Sequence, residues 1–281
     1  MRGCEVAGAL FLVATPIGNL GDLSGRAVEV LGEVDFVVCE DTRHSRTLFA
    51  HYGLNPRTLS LPAFAEKERA AGILDRLEAG ERAALVTDAG SPGISDPGEA
   101  LVAEAVRRGV PVSPIPGPSA VVAALSASGL PTGRFHFAGF LPRQGPERKA
   151  ILEELAPLRA SLVFYESPRR VADTLGDLLE VFGDRPACVA RELTKLHETF
   201  LRGTLTALRD QLSGQEVLGE VVVVVEGRTG EARWSEEELR RALTQELSRG
   251  EKLKALSKDL AARAGWTGAD VYRIGLDVQG K

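Results

Sequence analysis

Residues 84–98 read ALVTDAGSPGISDPG, a short apolar run followed by a loop rich in glycine, proline and aspartate. The run Ala84–Thr87 predicts a buried strand, because it is short, apolar and bounded by residues that favour turns. The loop from 87 to 98 holds three glycines, two prolines and two aspartates, which lets its backbone approach a ligand closely. Turn residues whose Asp and Ser side chains cap the next helix are the alternative interpretation.

Strands and helices alternate on both sides of this loop. Short apolar runs at Ala9–Ala14, Asp35–Cys39 and Val110–Ile115 predict further strands, with helical spacing of apolar residues between them. This order predicts an α/β fold with a largely parallel first sheet. The alternation resumes after a Pro- and Gly-rich break near residue 130, and three helices follow it. The predicted divisions are an N-terminal α/β domain, a C-terminal α/β domain and a small helical appendage, over residues 1–130, 131–230 and 231–281.

Two further loops follow predicted strands in the same way. Residues 15–24 (TPIGNLGDLS) lack the GxGxxG spacing of a dinucleotide loop, so a plain tight turn is an equal alternative to a ligand site. Residues 115–120 (IPGPSA) lead into a helix of small residues, where Ser119 fits either a helix N-cap or a contact to a flat ligand. Open α/β sheets bind ligands at the carboxyl ends of their strands, so these loops predict a binding edge.

Clusters of polar side chains follow three other predicted strands. Residues 40–44 (EDTRH) combine acids, an arginine and a histidine, and an ion pair that caps a helix is the alternative to a functional role. Residues 165–170 (YESPRR) include paired arginines suited to phosphate, and residues 191–198 (RELTKLHE) end a third strand. Neither His/Cys spacing typical of a metal site nor a GxSxG nucleophile motif occurs, so no metal is predicted.

The composition narrows the classes of function. The chain has 281 residues, 44% of them hydrophobic and 26% charged, as is typical of a soluble globular protein. A net charge of −5 argues against a surface that attracts nucleic acid everywhere, and 5% aromatic residues weaken a base-stacking interpretation. Three cysteines without a CxxC motif predict a reducing cytoplasm, and neither a signal peptide nor a membrane span is predicted.

The order of these loops along the chain is more specific for a protein family than any single loop is. They resemble the ribosomal RNA small-subunit ribose methyltransferase branch of the tetrapyrrole methylase superfamily, collinearly over about residues 8–230. The EDTRHS segment separates this branch from the porphyrin-methylating enzymes, which usually carry Asp-Arg-Leu there. The matching segments are TPIGNLGDLSGRAVEVLGEVDFVVCEDTRHSRTL (15–48), VTDAGSPGISDPG (86–98), PIPGPSAVVAALSASGL (114–130), FYESPRR (164–170) and RELTKLHE (191–198).

This resemblance implies two α/β domains of the class III methyltransferase type, a homodimer, and S-adenosylmethionine bound in a cleft between the domains. It also implies methyl transfer to the 2′-oxygen of cytidine 1402 in 16S rRNA of the small ribosomal subunit. By matching motif positions, the implied cofactor contacts are Pro16, Asp88, Ala89, Gly90, Ser91, Ile94, Ser95, Ser119, Ala120, Tyr165, Glu166, Leu193, Gly219 and Glu220.

A ribose hydroxyl is a poor nucleophile, so a base or cation that assists its deprotonation would speed the reaction. Our hypothesis assigns this acceptor side to Glu40, Asp41, Arg43 and His44, with Lys195 as a second candidate. A methyltransferase acting on a tetrapyrrole intermediate and a non-catalytic ribosome-assembly factor are the competing functions. Candidate RNA contacts, with a solvated helix face as the alternative for those in the appendage, are Arg143, Arg148, Lys149, Arg169, Arg170, Lys252, Lys254 and Lys258.

Overall fold

The structure is a computed structural model of the chain. It describes residues 8–229 and 234–280, without the side chains of residues 262 and 263. Two features noted in the sequence lie outside the described residues: one of the three cysteines, Cys4, and the start of the predicted appendage, 231–233.

The described chain forms two compact units. One contains residues 8–152 and 160–226, and the other contains residues 153–159 together with the described residues from 227 onward. Both β-sheets lie within the first unit, while the second holds three C-terminal helices. The domain division at residues 130 and 230 therefore stays a prediction.

The first sheet has five parallel strands in the order β3-β2-β4-β1-β5. Alternate residues of each strand face opposite sides, so Phe36 and Val38 pack on α3 and α4, and Val37 and Cys39 pack on α1 and α2. The elements are β1 (Ala9–Val13), α1 (Gly25–Glu33), β2 (Phe36–Cys39), α2 (Thr42–His51), β3 (Thr58–Ser60), α3 (Glu66–Glu78), β4 (Arg82–Val86), α4 (Glu99–Arg107), β5 (Val112–Ile115) and α5 (Ala120–Ala127).

The second sheet is mixed, in the order β6-β7-β10-β8-β9. Only β6 and β7 run parallel, while β10 pairs antiparallel with both β7 and β8, and β8 with β9. The five valines of β10 are all buried, as their unbroken apolar run predicts. The elements are β6 (Phe135–Phe140), α6 (Pro146–Leu155), β7 (Ser161–Glu166), α7 (Val171–Phe182), β8 (Pro186–Arg191), β9 (Thr199–Thr204), α8 (Leu205–Leu212) and β10 (Val221–Val225).

One apolar cluster inside the first unit packs the second sheet against α5 and against a loop that follows the first sheet. Val121 and Leu125 of α5 pack with Val163 of β7 and Val222 of β10, and Ile17 of the first loop joins them. This cluster brings the loops that follow β1, β4 and β5 against the ends of β7, β8 and β10.

The C-terminal unit contains α9 (Glu236–Ser248), α10 (Leu253–Ala264) and α11 (Gly268–Val278), close to the predicted helices. Ser235 caps α9, and its hydroxyl and the carboxylate of Glu238 form a capping box. Leu239, Leu260 and Val271 are fully buried or nearly so in the core of these helices. No helix among the described residues is long and apolar enough to cross a membrane.

Candidate functional site

The first and second loops are joined where β1 and β4 end. The Thr15 amide donates to the Gly90 carbonyl at 2.9 Å, and the Gly90 amide donates to the Thr15 carbonyl at 3.1 Å. The Thr15 hydroxyl donates to the Thr87 carbonyl at 3.1 Å, so the amide, carbonyl and hydroxyl of the buried Thr15 are all hydrogen-bonded. Gly90 has φ +80°, which few residues with a side chain adopt, and its conformation turns the second loop toward the first.

These loops and the ends of the second-sheet strands enclose a cavity of about 320 Å³. Its volume and its mixture of apolar and polar walls are typical of a small-molecule site. All of the cofactor contacts implied by the resemblance line this cavity except Pro16 and Asp88. Residues that line it but were absent from that set are Ile17, Asp96, Phe140, Ser167, Pro168, Val221 and Val222.

Ser119 has both of the roles that its sequence context allowed, helix N-cap and cavity-lining residue. Its hydroxyl accepts from the Val122 amide at 3.5 Å and so caps α5, while the residue also lines the cavity. Ala120 follows it on the same wall, where a small side chain leaves space.

Strained backbone is concentrated at this cavity. In the part of the chain that the structure describes, three non-glycine residues have positive φ: Ser95 at 64°, Glu192 at 50° and Thr194 at 65°. Ser95 lines the cavity, and Glu192 and Thr194 flank Leu193, which also lines it. Such conformations cost about 1–3 kcal/mol each and persist where the surrounding structure holds them.

Gly219 illustrates how closely the walls are packed. A Cβ atom built there would lie 2.1 Å from the Glu192 carboxylate oxygen Oε1, and φ at Gly219 is +86°. That carboxylate oxygen also accepts from the Glu220 amide at 2.9 Å. The glycine is therefore required for β10 to start beside the 191–198 loop.

Most of the EDTRHS segment is used locally. Asp41 caps α2 by accepting from the Arg43 amide at 2.8 Å, and its carboxylate pairs with the Arg43 guanidinium at 2.7 Å. These contacts with Arg43 lower the pKa of Asp41 to about 2. Neither residue, nor His44, is among the residues that line the cavity. The helix-capping ion pair, the alternative interpretation of this segment, describes Asp41 and Arg43 as the structure places them.

Glu40 points the other way, toward the second loop. Its Oε2 accepts from the Asp88 amide at 3.5 Å, and burial, together with the charge of Asp88, raises its pKa. The Asp88 carboxylate oxygen Oδ1 is buried and has no hydrogen-bond partner among the described residues. The ends of β2 and β4 therefore bring two carboxylates together behind the cavity wall.

Lys195 is held between two carboxylates. Its ammonium group lies 2.9 Å from Glu192 Oε1 and 3.0 Å from Glu220 Oε2, and these partners raise its pKa against a lowering by burial. A cation with a raised pKa is a poor proton acceptor at neutral pH. The structure thus places Lys195 at the edge of the site as a charged brace.

Asp96 is the one titratable side chain among the cavity-lining residues that the resemblance did not imply. It stands in the 87–98 loop, lines the cavity and is half-buried. Burial and the negative charges of Glu40 and Asp88 raise its pKa to about 6. The signal was present as the second aspartate of a loop already singled out, for which capping of the next helix was the alternative interpretation. In the structure Glu66 caps that helix instead, accepting from the Gly98 amide at 3.1 Å.

Two arginines proposed as RNA contacts serve structural roles. Arg148 is 6% exposed and donates to Asp177 at 2.7 Å and to Thr174 at 2.9 Å. Arg170 donates to Glu166 Oε1 at 2.8 Å, and Glu166 Oε2 accepts from the Thr174 hydroxyl at 2.7 Å. These bonds form one network that fixes the start of α7 behind the cavity, so both guanidinium groups are committed.

No group of three or more His, Cys, Asp or Glu side chains within the described residues is arranged to hold a metal ion. The described cysteines, Cys39 and Cys188, are buried free thiols, and burial raises the pKa of Cys39 to about 11. A buried thiol with a raised pKa is a weak nucleophile, so these residues belong to the core.

A family model described as tetrapyrrole (corrin/porphyrin) methylases matches residues 9–209. A relative from Halalkalibacterium halodurans named ribosomal RNA small subunit methyltransferase I is 42% identical over 272 residues, covering 95% of this chain and 94% of the relative. The chain belongs to this methyltransferase branch of the tetrapyrrole methylase family. A relative of the same name from Xylella fastidiosa is 51% identical over 223 residues, covering 78% of this chain and 82% of its own.

Solved structures of tetrapyrrole methylases share the fold. A cobalt precorrin-4 methyltransferase superposes with a TM-score of 0.58 at 18% identity, over 80% of this chain and 97% of that one. A uroporphyrin-III C-methyltransferase from Thermus thermophilus complexed with S-adenosyl homocysteine has a TM-score of 0.56 at 19% identity, over 77% and 97% of the two chains. The predicted fold class is confirmed.

Proposed function

We propose that this methyltransferase transfers a methyl group from S-adenosylmethionine to the 2′-oxygen of cytidine 1402 in 16S rRNA. The observation that carries the proposal is the identity of 42% over 95% of the chain to a relative named for ribosomal RNA methylation. The loops quoted in the sequence, including EDTRHS, support the ribose of cytidine 1402 as the acceptor through the resemblance stated above.

The residues around the cavity fit S-adenosylmethionine. The unpartnered Asp88 oxygen and the nearby Glu40 carboxylate make this region anionic, which favours a cationic ligand. Ile94 and Phe140 line the cavity and remain 48% and 57% exposed, so they offer apolar surface for a purine ring.

The bound donor supplies a methyl group activated by its positively charged sulfur. The protein's task is to bind the donor, orient the acceptor hydroxyl and exclude water. We assign donor binding to the loop residues Ala89–Ser91, to Ser119 and Ala120, and to Leu193 and Gly219 on the opposite wall. The hydrogen bonds between Thr15 and Gly90 and the glycine at 219 keep these walls in place without the donor.

An acidic protein needs local basic surface to hold RNA phosphates. Of the proposed contacts, six are exposed: Arg143, Lys149, Arg169, Lys252, Lys254 and Lys258. Within the C-terminal unit, Lys254 and Lys258 line a groove with Tyr272, which is 42% exposed and available for stacking on a base. We propose that these side chains contact RNA.

We also propose a cytoplasmic homodimer. Leu196 and Leu218, next to the cavity loops, are 93% and 61% exposed, and this apolar surface is accessible to a partner subunit. A sedimentation mass near twice 30.0 kDa supports the dimer, and a mass of 30.0 kDa at micromolar concentration argues against it.

Methyl transfer from a labelled donor tests the proposed function. We expect label in 16S rRNA when the protein is incubated with small subunits from a strain that lacks this modification, and none in a porphyrinogen. Label in the porphyrinogen favours the tetrapyrrole alternative. Donor binding without transfer to either substrate favours a non-catalytic assembly factor.

A further inference from the structure

We propose that Asp96 is a catalytic residue whose carboxylate accepts the proton of the ribose 2′-hydroxyl, an inference that rests on the proposed function. Asp96 was not among the acceptor-side residues expected from the sequence. Three observations support the proposal: Asp96 lines the cavity, the other carboxylates that line the cavity already have partners, and the 91–98 loop is rigidly held.

Three carboxylates line the cavity among the described residues: Asp96, Glu166 and Glu220. Glu166 accepts from the Ser167 amide at 2.6 Å and is also bonded by Arg170 and Thr174. Glu220 is paired with the Lys195 ammonium at 3.0 Å. Asp96 accepts no hydrogen bond from any residue that the structure describes, so its oxygens are available to a ligand hydroxyl.

The loop that carries Asp96 is held at both ends. The Gly93 amide donates to the Pro97 carbonyl at 3.1 Å, which closes the loop around Asp96. Glu66 Oε1 then accepts from the amides of Gly98 and Leu101 at 3.1 and 2.9 Å. A Cβ at Gly98 would lie 2.8 Å from Leu85, so the loop packs directly on β4. A base held this firmly needs little reorganisation during proton transfer.

The groups that face Asp96 come from three elements. Glu40 from the end of β2 and Asp88 from the end of β4 place negative charge beside it, and Tyr165 of β7 faces it from the second sheet. With burial, these charges raise the pKa of Asp96 to about 6, so it is ionised at neutral pH yet a stronger base than an ordinary aspartate. A catalytic base is most effective when its pKa lies close to the working pH.

The step balances without any further reactant. As the hydroxyl proton moves to the Asp96 carboxylate, the 2′-oxygen forms its bond to the methyl carbon of the donor. The carbon–sulfur bond breaks, and its electron pair stays on sulfur, which becomes neutral. The proton on Asp96 returns to water after the products leave.

The test compares Asp96→Asn with the native protein and with a matched control, Asp210→Asn, whose side chain is on the exposed surface of α8. With unmodified small subunits and saturating donor, we expect Asp96→Asn to lower kcat by about 100-fold or more, the usual contribution of a general base. Asp210→Asn should leave kcat unchanged. Calorimetry should show donor binding by Asp96→Asn within about fivefold of native, because the geometry of its loop is kept.

The pH profile gives a second readout. We expect native kcat to rise with pH through an inflection near 6, the pKa of Asp96, and to level off at higher pH as the carboxylate becomes fully ionised. The Asp96→Asn profile should lack this inflection, because the group that titrates has been removed. Asp96→Glu should regain part of the rate and keep an inflection.

Two outcomes overturn the inference while the proposed function stands. One is an Asp96→Asn variant that keeps kcat within about threefold of native. The other is a rate lost only through weaker donor binding and restored at saturating donor, which would make Asp96 a donor contact. A native protein that binds donor but methylates no ribose overturns the proposed function, and this inference with it.

Discussion

Two segments of the first sheet begin alike and end differently. Strands β2 and β4 are parallel neighbours in which Cys39 pairs with Val86, and an acidic segment follows each. After β2, Asp41 turns back on its own segment to cap α2 and pair with Arg43. After β4, Asp96 has no such partner and faces the cavity. The position of an aspartate near the carboxyl end of a strand therefore does not by itself decide its role. The two aspartates differ in whether nearby hydrogen-bond donors already bind the carboxylate.

The pKa values of the two aspartates are also shifted in opposite directions. Hydrogen bonds from Arg43 favour the ionised form of Asp41 and lower its pKa to about 2. Burial beside Glu40 and Asp88 disfavours the ionised form of Asp96 and raises its pKa to about 6. One environment stabilises a charge for structural use, and the other keeps a proton acceptor reactive.

Among variants that leave both aspartates in place, the largest effect is expected from Glu66→Ala, which releases the end of the 91–98 loop. The amides of Gly98 and Leu101 lose a charged acceptor, so the free energy of unfolding should fall by about 2 kcal/mol. Because Asp96 then loses its fixed position, kcat should fall by roughly tenfold. Urea unfolding and methylation of unmodified small subunits measure the two effects.

The control for this prediction is Glu66→Gln, which keeps an acceptor oxygen and should retain most of the stability and rate. If Glu66→Ala lowers stability without changing kcat, the rigidity of the loop does not matter for the reaction.

Smaller effects on thermal stability are expected from neutralising the two aspartates, and the two effects should have opposite signs. Because Asp96 has a raised pKa in the folded state, its ionisation costs stability as the pH rises through about 6. Asp96→Asn should therefore unfold a few degrees above the native protein at pH 8, and the gap should close toward pH 4. Thermal unfolding across this range measures it.

Asp41 should behave in the opposite way, because its lowered pKa means that its charge stabilises the fold above about pH 4. Asp41→Asn should unfold slightly below the native protein at pH 7, and the gap should narrow as the pH falls toward 3. The effect is small because the ion pair is exposed. Shifts of the same sign for both variants would remove the contrast between the two segments.

The smallest effect is expected from Ser95→Gly. Ser95 has φ 64°, and glycine adopts this conformation without steric cost but loses more backbone entropy on folding. The free energy of unfolding should rise by about 0.5 kcal/mol, while kcat falls severalfold as the neighbouring Asp96 becomes less restrained. The control is Ser213→Gly, because Ser213 is on the exposed surface. Ser91→Gly is unsuitable as a control, because Ser91 also lines the cavity. A Ser95→Gly variant that is less stable and fully active contradicts this expectation.

Local patterns predicted much of the fold. Apolar runs such as Asp35–Cys39 and the five valines of β10 identify buried strands, because burial on both faces leaves an unbroken apolar signal. The edge strands β3 and β9 were missed, since most of their residues are exposed and carry no such signal. Their pairing with β2 and β8 is set by tertiary packing and not by local sequence.

The candidate site was harder to predict. Strand-end loops indicated which segments meet, and most residues implied by the family resemblance lie around one cavity. Which carboxylate stays unpartnered depends on distant groups. Glu66, which lies far earlier in the chain, caps α4 in place of Asp96. Arg43 donates hydrogen bonds to the Asp41 carboxylate. Such competition for hydrogen bonds is invisible in a linear motif. The acceptor-side role of the EDTRHS segment therefore stays a prediction, and the role of Asp96 is our proposal.

The most direct test of this account locates the transferred methyl group. Unmodified small subunits would be reacted with the native protein, and the 16S rRNA digested and mapped by mass spectrometry, with resistance of the adjacent phosphodiester to alkali as the mark of 2′-O-methylation. The account predicts one modified nucleotide, 2′-O-methylcytidine at position 1402. A methyl group on a base, or on the ribose of another nucleotide, would contradict it.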